Sequence, residues 1–480
     1  MAQSSEPGTP TPPSLLRALG PGMAMAVVVG NVIGSGIYFK PGGIAKDAGD
    51  FGVILTAWVV GGLICLMGSL CIAELGAMLP HAGGLYVYLR EAYGRPVAFL
   101  YGWTDFLFSR PASIGALTVV FVETLFRLGK GRPGTASELA LEAAIIVAMA
   151  WINILGVIWG GRVQGATTIA KAGFLAGVAV LPFAVAWFGH TSLVPENLAT
   201  TVTPEKPTLS TQFAAALLGI LWAYNGWEAL GSVAEEIREP QTNIPRALFG
   251  GLGILIVLYV SANVAYHLSM PMQQIADSGE HAAEKMCEKL LGPIGGTLMA
   301  AGLLLSTFSG INSNTLLGPR VSFAMGRDGV FFRSLGWIHS SYRTPAFAIV
   351  VQAAMSIGLV VASSILVHVF HSFKSTTVFD ILSNYVVFAS SIFYMLAVLG
   401  VVVLRRTRPD LPRPYRTLAY PYVPFLYAAF YMWFLWEVYQ GNQVQSNIGL
   451  GLIALGIPVY LFWQRSAGKG GEADGRLAEP

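Results

Sequence analysis

The sequence predicts an all-α polytopic membrane protein with about twelve membrane-spanning helices. Hydrophobic residues make up 54% of the chain and charged residues only 11%, whereas about a quarter of an average soluble chain is charged. Apolar runs such as "FGVILTAWVVGGLICLMGSLCIA" exceed the roughly 20 residues that a helix needs to cross a bilayer. Glycine-containing interruptions also fall in the first and the sixth of these runs, a pattern typical of two inverted repeats.

The apolar runs set the expected order of spans along the chain. They are numbered here in chain order and keep these numbers below. Their expected bounds are 21–45, 52–79, 97–127, 138–160, 164–188, 210–236, 244–270, 290–325, 345–370, 378–404, 418–440 and 446–464.

Polar tails flank the spans. The N-terminal "SSEPGTPTPPS" and the C-terminal "QRSAGKGGEADGRLAEP" are rich in residues that do not support a packed core. They predict disordered tails over 1–20 and 465–480, and no cleavable signal peptide is apparent. The chain holds three cysteines, from which neither a disulfide framework nor a metal site follows. No cofactor and no nucleic-acid partner are predicted.

The basic residues of the loops predict the orientation. "REAYGRP", "REPQTNIPRA" and "RRTRPDLPRPYRT" follow the second, sixth and tenth spans, whereas an alternate loop reads "IADSGEHAAEKMCEK". Lys and Arg favour the cytoplasmic side. We therefore expect a multi-pass protein of the cell (inner) membrane with both termini in the cytoplasm.

The first span contains Gly34-Ser35-Gly36 within an apolar run. Non-helical backbone at membrane depth is tolerated only where protein or a water-filled cavity covers it. Unwinding here would free the amide N–H groups of 34–36 at the start of a second half-helix, whose dipole favours an anion. It would also expose the carbonyls of Val32 and Ile33 to a cation.

The sixth span contains "GILWAYNGWEALGSVAEE", in which Asn225-Gly226 interrupts the helix. Asn-Gly is a turn dipeptide, and a break there would expose the carbonyls of Trp222 and Ala223. Two facing breaks predict a cradle for a zwitterion such as an α-amino acid. The alternative is that the glycines serve only close helix packing, and the matching positions of the two breaks favour the cradle.

Several stretches resemble the amino acid–polyamine–organocation (APC) superfamily, and within it the L-type amino acid transporter branch and its bacterial homologues. They are "VGNVIGSGIYFKPGG", "AELGAMLPHAGGLYVYLREAYG", "WAYNGWEALGSVAEEIREPQTNIPRAL", "GINSNTLLGPRVSFAMGRDG" and "RRTRPDLPRPYR". The resemblance implies two inverted repeats of five helices, 21–188 and 210–404, followed by two more helices over 418–464. It also implies sodium-independent exchange of neutral amino acids by alternating access.

The resemblance further implies roles for single residues. The amides of Ser35 and Gly36, next to Gly34, would bind the substrate carboxylate, and the carbonyls of Ile33, Trp222 and Ala223 would bind the amino group. Trp222 would also act as an aromatic gate, and Asn225 would govern specificity. Eukaryotic light chains of this branch carry a cysteine in the loop after the third span; here that loop reads "RLGKGRPGTASE", so no disulfide-linked heavy chain is expected.

Lys171 lies roughly 10 Å into the fifth span at 1.5 Å per residue. An ionisable residue at that depth is a functional candidate, although a lysine stem can also reach back to the interface. The resemblance implies that the ammonium replaces a sodium ion, donating to carbonyls near Gly30 and to a hydroxyl of Ser306 or Ser309. A proton-releasing lysine is the remaining alternative.

Acidic residues of the sixth span complete the candidate site. Glu228 follows Asn225 by nearly one helical turn and would line the cavity or pair with a neighbour; Tyr224 is a further cavity candidate. Glu235 and Glu236, with Arg238, predict a cytoplasmic gate or an ion-pair network at the foot of the span; a solvated face is the alternative for Glu236. Asp105 and Arg110 of the third span are expected to pair within the span or across helices.

These observations favour an exchanger of neutral amino acids over three alternatives. Proton-coupled or cationic amino acid uptake would have Glu228 or Lys171 titrate. A membrane amino acid sensor would need an output domain, which neither short tail supplies. An intramembrane enzyme would need convergent catalytic groups, and the spans show no paired aspartates or His-rich metal motif. The expected partners are therefore the amino acid and the lipid bilayer.

Overall fold

The computed structural model describes residues 14–129, 131, 134–189, 193–369, 375–441 and 443–464. Helices dominate these ranges, and the extended pairing within them is one isolated bridge between Leu19 and Ile237. The all-α prediction is confirmed.

The helices follow the apolar runs closely. The α-helices are Pro21–Val32, Gly36–Phe39, Pro41–Ala48, Phe51–Met78, Leu85–Tyr93, Arg95–Thr104, Arg110–Leu128, Thr135–Ile154, Val157–Trp187, Leu209–Tyr224, Pro240–Ser269, Met272–Asp277, Ala282–Leu291, Pro293–Leu317, Pro319–Arg327, Ala346–Val369, Ser375–Thr407, Tyr422–Gly441 and Gln443–Ala454. The 3₁₀-helices are Pro195–Ala199, Trp227–Glu236, Gly279–His281 and Arg333–Gly336. Asp105–Ser109 is a π-helix.

Ten helices of the described ranges are long and apolar enough to cross a membrane. The two other predicted spans are the sixth and the eleventh. The sixth divides into an α-helix of 16 residues and a 3₁₀-helix of 10 residues, so neither part reaches the length of a full span. The eleventh, Tyr422–Gly441, has 20 residues, but its Tyr and Trp residues lower the mean hydropathy. The multi-pass architecture is confirmed, and the count of twelve stays a prediction.

Both predicted interruptions are confirmed. The first helix ends at Val32, and helical structure resumes at Gly36. The sixth span leaves the α-helix at Tyr224, and Gly226 has a φ of 109°, in the left-handed region that favours glycine.

The two broken spans lie at the centre of the bundle. Pro21–Val32 contacts Pro240–Ser269, Val157–Trp187 and Pro293–Leu317, and it also touches the 3₁₀-helix of the sixth span. Neighbouring helices therefore cover the unwound backbone, which is the condition for tolerating it at membrane depth.

The predicted disorder is wrong for residues 14–20. Leu15 and Leu19 are buried, and the Leu19 N–H donates to the Glu236 carbonyl at 3.0 Å. Burial of the two apolar side chains stabilises this stretch, and the Leu19 side chain lies beside Gly161 of the fifth span. The rest of both predicted tails lies outside the described residues.

Candidate functional site

A cavity of about 70 Å³ lies between the two interruptions. One water needs about 10–15 Å³ on the same scale, so the space suits a small ligand. The walls come from the first, third, sixth, eighth and tenth spans. Among the residues predicted to bind the substrate or line its cavity, those that line it are Gly34, Ser35, Gly36, Trp222, Asn225 and Glu228.

Hydrogen bonds join the two broken spans beside the cavity. The Asn31 side-chain amide donates to the Gly226 carbonyl at 2.7 Å. The Tyr259 hydroxyl lies 3.1 Å from both the Val32 and the Ala223 carbonyl oxygens. Neither the Asn31 nor the Tyr259 side chain was predicted from the sequence to join the two breaks. Asn31, a polar residue just before the first break, was the available signal, whereas nothing local distinguished Tyr259.

The first break leaves polar groups available to a ligand. The buried Ser35 Oγ and Asn31 Oδ1 have no hydrogen-bond partner among the described residues, and both residues line the cavity. The helix that resumes at Gly36 has only four residues, so the expected contribution of its dipole is weaker than the sequence suggested. The unwound amides themselves remain suited to an anion.

Ile33, Ala223 and Tyr224, which were predicted to contact the substrate or its cavity, lie outside the set that lines it. The Ile33 carbonyl accepts from Lys171, and the Ala223 carbonyl lies against the Tyr259 hydroxyl, so both carbonyls are already engaged. The fully buried Tyr224 packs against Trp58 instead, with ring centroids 5.8 Å apart. The predicted cavity position of Tyr224 is therefore wrong.

Trp222 and Asn225 line the cavity as expected. The Trp222 carbonyl accepts from the Asn225 amide N–H at 3.2 Å, so it is used within the turn. The Asn225 side-chain amide donates to the Tyr394 hydroxyl at 3.2 Å, which places Asn225 at the contact between the sixth and tenth spans.

Lys171 of the fifth span stabilises the first break by hydrogen bonds to its carbonyls. Its side chain is fully buried, so the interface-reaching alternative is wrong. The ammonium donates to the carbonyls of Gly30 and Ile33, at 2.5 Å from the latter. The predicted hydroxyl contacts are replaced: Ser306 donates to the Gly34 carbonyl at 3.0 Å, and Ser309 accepts from Thr167 at 2.9 Å.

The ion pair of Asp105 and Arg110 in the third span lines the same cavity. Arg110 Nε donates to Asp105 Oδ1 at 3.1 Å, and Arg110 Nη2 lies 3.8 Å from a Glu228 oxygen. The other Glu228 oxygen accepts the Gly226 N–H at 3.2 Å. The expected pairing of Asp105 with Arg110 is confirmed. The position of this ion pair in the cavity was not predicted from the sequence, although π-helical turns such as Asp105–Ser109 often mark functional sites.

The predicted ion-pair network at the foot of the sixth span is confirmed with different arginines. Glu236 pairs with Arg320 at 3.0 and 3.1 Å, and Glu235 pairs with Arg327 at 3.0 Å. The exposed Arg238 lies outside these pairs, because the eighth-span extension Pro319–Arg327 packs against this end of the sixth span.

Arg320→Gln is expected to lower the stability of the purified protein far more than Arg327→Gln. The Arg320 side chain is 0% exposed and that of Arg327 is 48% exposed. Breaking a buried pair costs about 3–5 kcal/mol, whereas an exposed pair contributes about 0–1 kcal/mol. Thermal inactivation in detergent measures the difference, and equal losses for the two variants would contradict the assigned burial.

Comparison with known proteins identifies the family. A family model described as "Amino acid permease" matches residues 19–461, which is nearly the whole chain. The chain belongs to the amino acid permease family. The match confirms the resemblance to the APC superfamily, and the similarity to the following relatives confirms the L-type branch.

Three relatives of this permease span most of its length. The serine/threonine exchanger SteT of Bacillus subtilis is 33% identical over 93% of the chain and 96% of the relative. The human large neutral amino acids transporter small subunit 2 is 32% identical over 94% of the chain and 82% of the relative. The mouse Asc-type amino acid transporter 1 is 31% identical over the same shares.

Proposed function

We propose that this permease is a sodium-independent exchanger of neutral L-amino acids that works by alternating access in the cell membrane, with both termini in the cytoplasm. The observation that carries the proposal is the cavity between the two broken spans, where unwound backbone and unpartnered polar groups meet. The similarity to a serine/threonine exchanger and to a transporter of large neutral amino acids supports the substrate class.

The α-carboxylate binds the amides of Ser35 and Gly36, with the Ser35 hydroxyl as a further donor. Unwound N–H groups suit an anion because they have no intrahelical acceptor. The α-ammonium donates to Asn31 Oδ1. The side-chain nitrogen of Asn31 already donates to the Gly226 carbonyl. This assignment replaces the Ile33 and Ala223 carbonyls, which have protein donors.

Lys171 takes the place of a sodium ion. Its ammonium satisfies two carbonyls of the unwound segment, which are the kind of oxygen ligands that half-helix ends offer to cations in related folds. A fixed cation braces the segment without an ion gradient, which supports sodium independence.

Counterflow in liposomes tests exchange directly. Purified protein is reconstituted without sodium, and uptake of labelled L-alanine is followed into vesicles loaded with unlabelled L-alanine or left empty, with and without a pH gradient. Exchange predicts uptake that requires internal alanine and ignores the pH gradient. Uptake into empty vesicles driven by an inward proton gradient would establish a symporter. Alanine binding without any uptake would favour a sensor.

The protein is also proposed to work without a disulfide-linked partner, since the loop 127–138 contains no cysteine. Full counterflow by the chain reconstituted alone supports this. Activity that appears only in the presence of a second chain would contradict it.

Asn225→Gly is expected to widen selectivity. The smaller residue removes the contact with Tyr394 and enlarges the cavity, so leucine should compete with labelled alanine several-fold better than in the wild type. Alanine counterflow should remain measurable. An unchanged ranking of competitors would show that Asn225 does not limit side-chain size.

A further inference from the structure

The third and sixth spans together bring an excess of negative charge to the cavity. Among the described residues that line it, the charged side chains are Asp105, Arg110 and Glu228. All three are nearly buried, with side-chain exposures of 6%, 10% and 3%. Two carboxylates thus share one guanidinium within a small polar space.

Protein hydrogen bonds engage these three charged side chains, except for one oxygen atom of Asp105. Asp105 Oδ1 accepts from Arg110 Nε, and Arg110 Nη1 donates to Asn314 Oδ1 at 3.2 Å. Glu228 accepts from the backbone of Gly226. Asp105 Oδ2 is buried and has no hydrogen-bond partner in the described part of the chain. A buried carboxylate oxygen without a donor is costly, so this atom marks a position for a donor on the ligand.

We infer that Asp105 is a specificity-determining residue that accepts a hydrogen bond from the side chain of the substrate, so that the permease prefers small neutral amino acids with a side-chain donor, such as serine and threonine. This inference rests on the proposed function. The α-carboxylate and α-ammonium groups bind the first span, and Asp105 lies on a different wall of the same cavity. The proposal places the side chain of the bound amino acid toward this third-span wall.

The residues around Asp105 further restrict which substrate side chains the cavity can accept. The cavity volume of about 70 Å³ disfavours the long cationic side chains of lysine and arginine. Ala116 and Leu117 of the same span supply apolar surface, which accommodates the methyl group of threonine. A site built to bond a donor rejects an isostere that lacks it, since its own polar group is then left unpaired.

Isosteric competitors test the inference on the wild type. L-serine is compared with L-2-aminobutyrate, and L-threonine with L-valine, as competitors of labelled L-alanine counterflow. Each pair matches in size and differs in the hydroxyl. We expect the hydroxylated member to compete about tenfold better, the size expected for one hydrogen bond to a charged group. Equal competition within both pairs would overturn the inference even where alanine exchange is intact.

Asp105→Asn locates the effect. Its amide oxygen can still accept from Arg110, and its NH₂ group can form only a neutral hydrogen bond with the substrate hydroxyl, which is weaker than one to a carboxylate, so the preference should fall to about threefold or less. Glu142→Gln is the matched control, since Glu142 is a buried acid of the fourth span outside the cavity lining; it should keep the wild-type ratio. An unchanged serine preference in Asp105→Asn would overturn the role of Asp105. Loss of counterflow for every substrate by the wild type would instead reject the proposed function.

Discussion

Lys171→Ala is expected to reduce alanine counterflow by roughly 100-fold or more. The substitution removes a buried ammonium that donates to the Gly30 and Ile33 carbonyls. Each hydrogen bond from a charged donor contributes about 1.5–3 kcal/mol; the Gly30 carbonyl would lose this donor at membrane depth, and the Ile33 carbonyl would keep only the Ser306 hydroxyl at 3.4 Å. The unwound segment should then lose the geometry that places the Ser35 and Gly36 amides in the cavity.

Lys171→Met separates the charge from the packing. It keeps an unbranched apolar stem and removes only the ammonium, so it should lose counterflow as severely as the alanine variant while remaining monodisperse in detergent. Normal exchange by Lys171→Met would show that the stem, rather than the cation, matters. It would remove the basis for a sodium substitute.

Gly36→Val is expected to reduce counterflow and alanine binding to background. A Cβ atom at position 36 would lie 2.7 Å from the Ala223 Cα atom and 2.9 Å from its Cβ atom. The Ala223 backbone cannot shift to relieve this overlap without a large cost in free energy, so the two broken spans must separate. The space beside the unwound amides is lost as a result.

Gly253→Val is the matched control for Gly36→Val. Gly253 lies in the seventh span, and a Cβ atom there would meet nothing within 4 Å. This variant should exchange alanine at nearly the wild-type rate. Full counterflow by Gly36→Val would contradict the cradle, whatever the control shows.

Local chemistry explains which features could be predicted from the sequence. Gly34-Ser35-Gly36 and Asn225-Gly226 interrupt apolar runs, and such turn residues act on the backbone where they stand. Lys171 was conspicuous because a lysine inside an apolar run is costly. These features required no knowledge of distant contacts, and the structure brings the two breaks and the lysine together.

Long-range pairing explains what could not be predicted. The bond between Asn31 and Gly226 joins residues 195 positions apart, and Tyr259 reaches both breaks from a third helix. Tyr224 was misplaced because the register of the sixth span directs its ring to Trp58, and residue spacing alone does not settle which side of a broken helix faces the cavity. The engagement of the Ile33 carbonyl by Lys171 likewise depends on how the fifth span packs.

A structure of the permease in lipid nanodiscs with saturating L-serine tests the central claim most directly. We expect serine between the two breaks, with its carboxylate on the Ser35 and Gly36 amides, its ammonium on Asn31 and its hydroxyl on Asp105 Oδ2. Serine bound elsewhere in the bundle, or bound in this cavity with its carboxylate away from the first break, would contradict it.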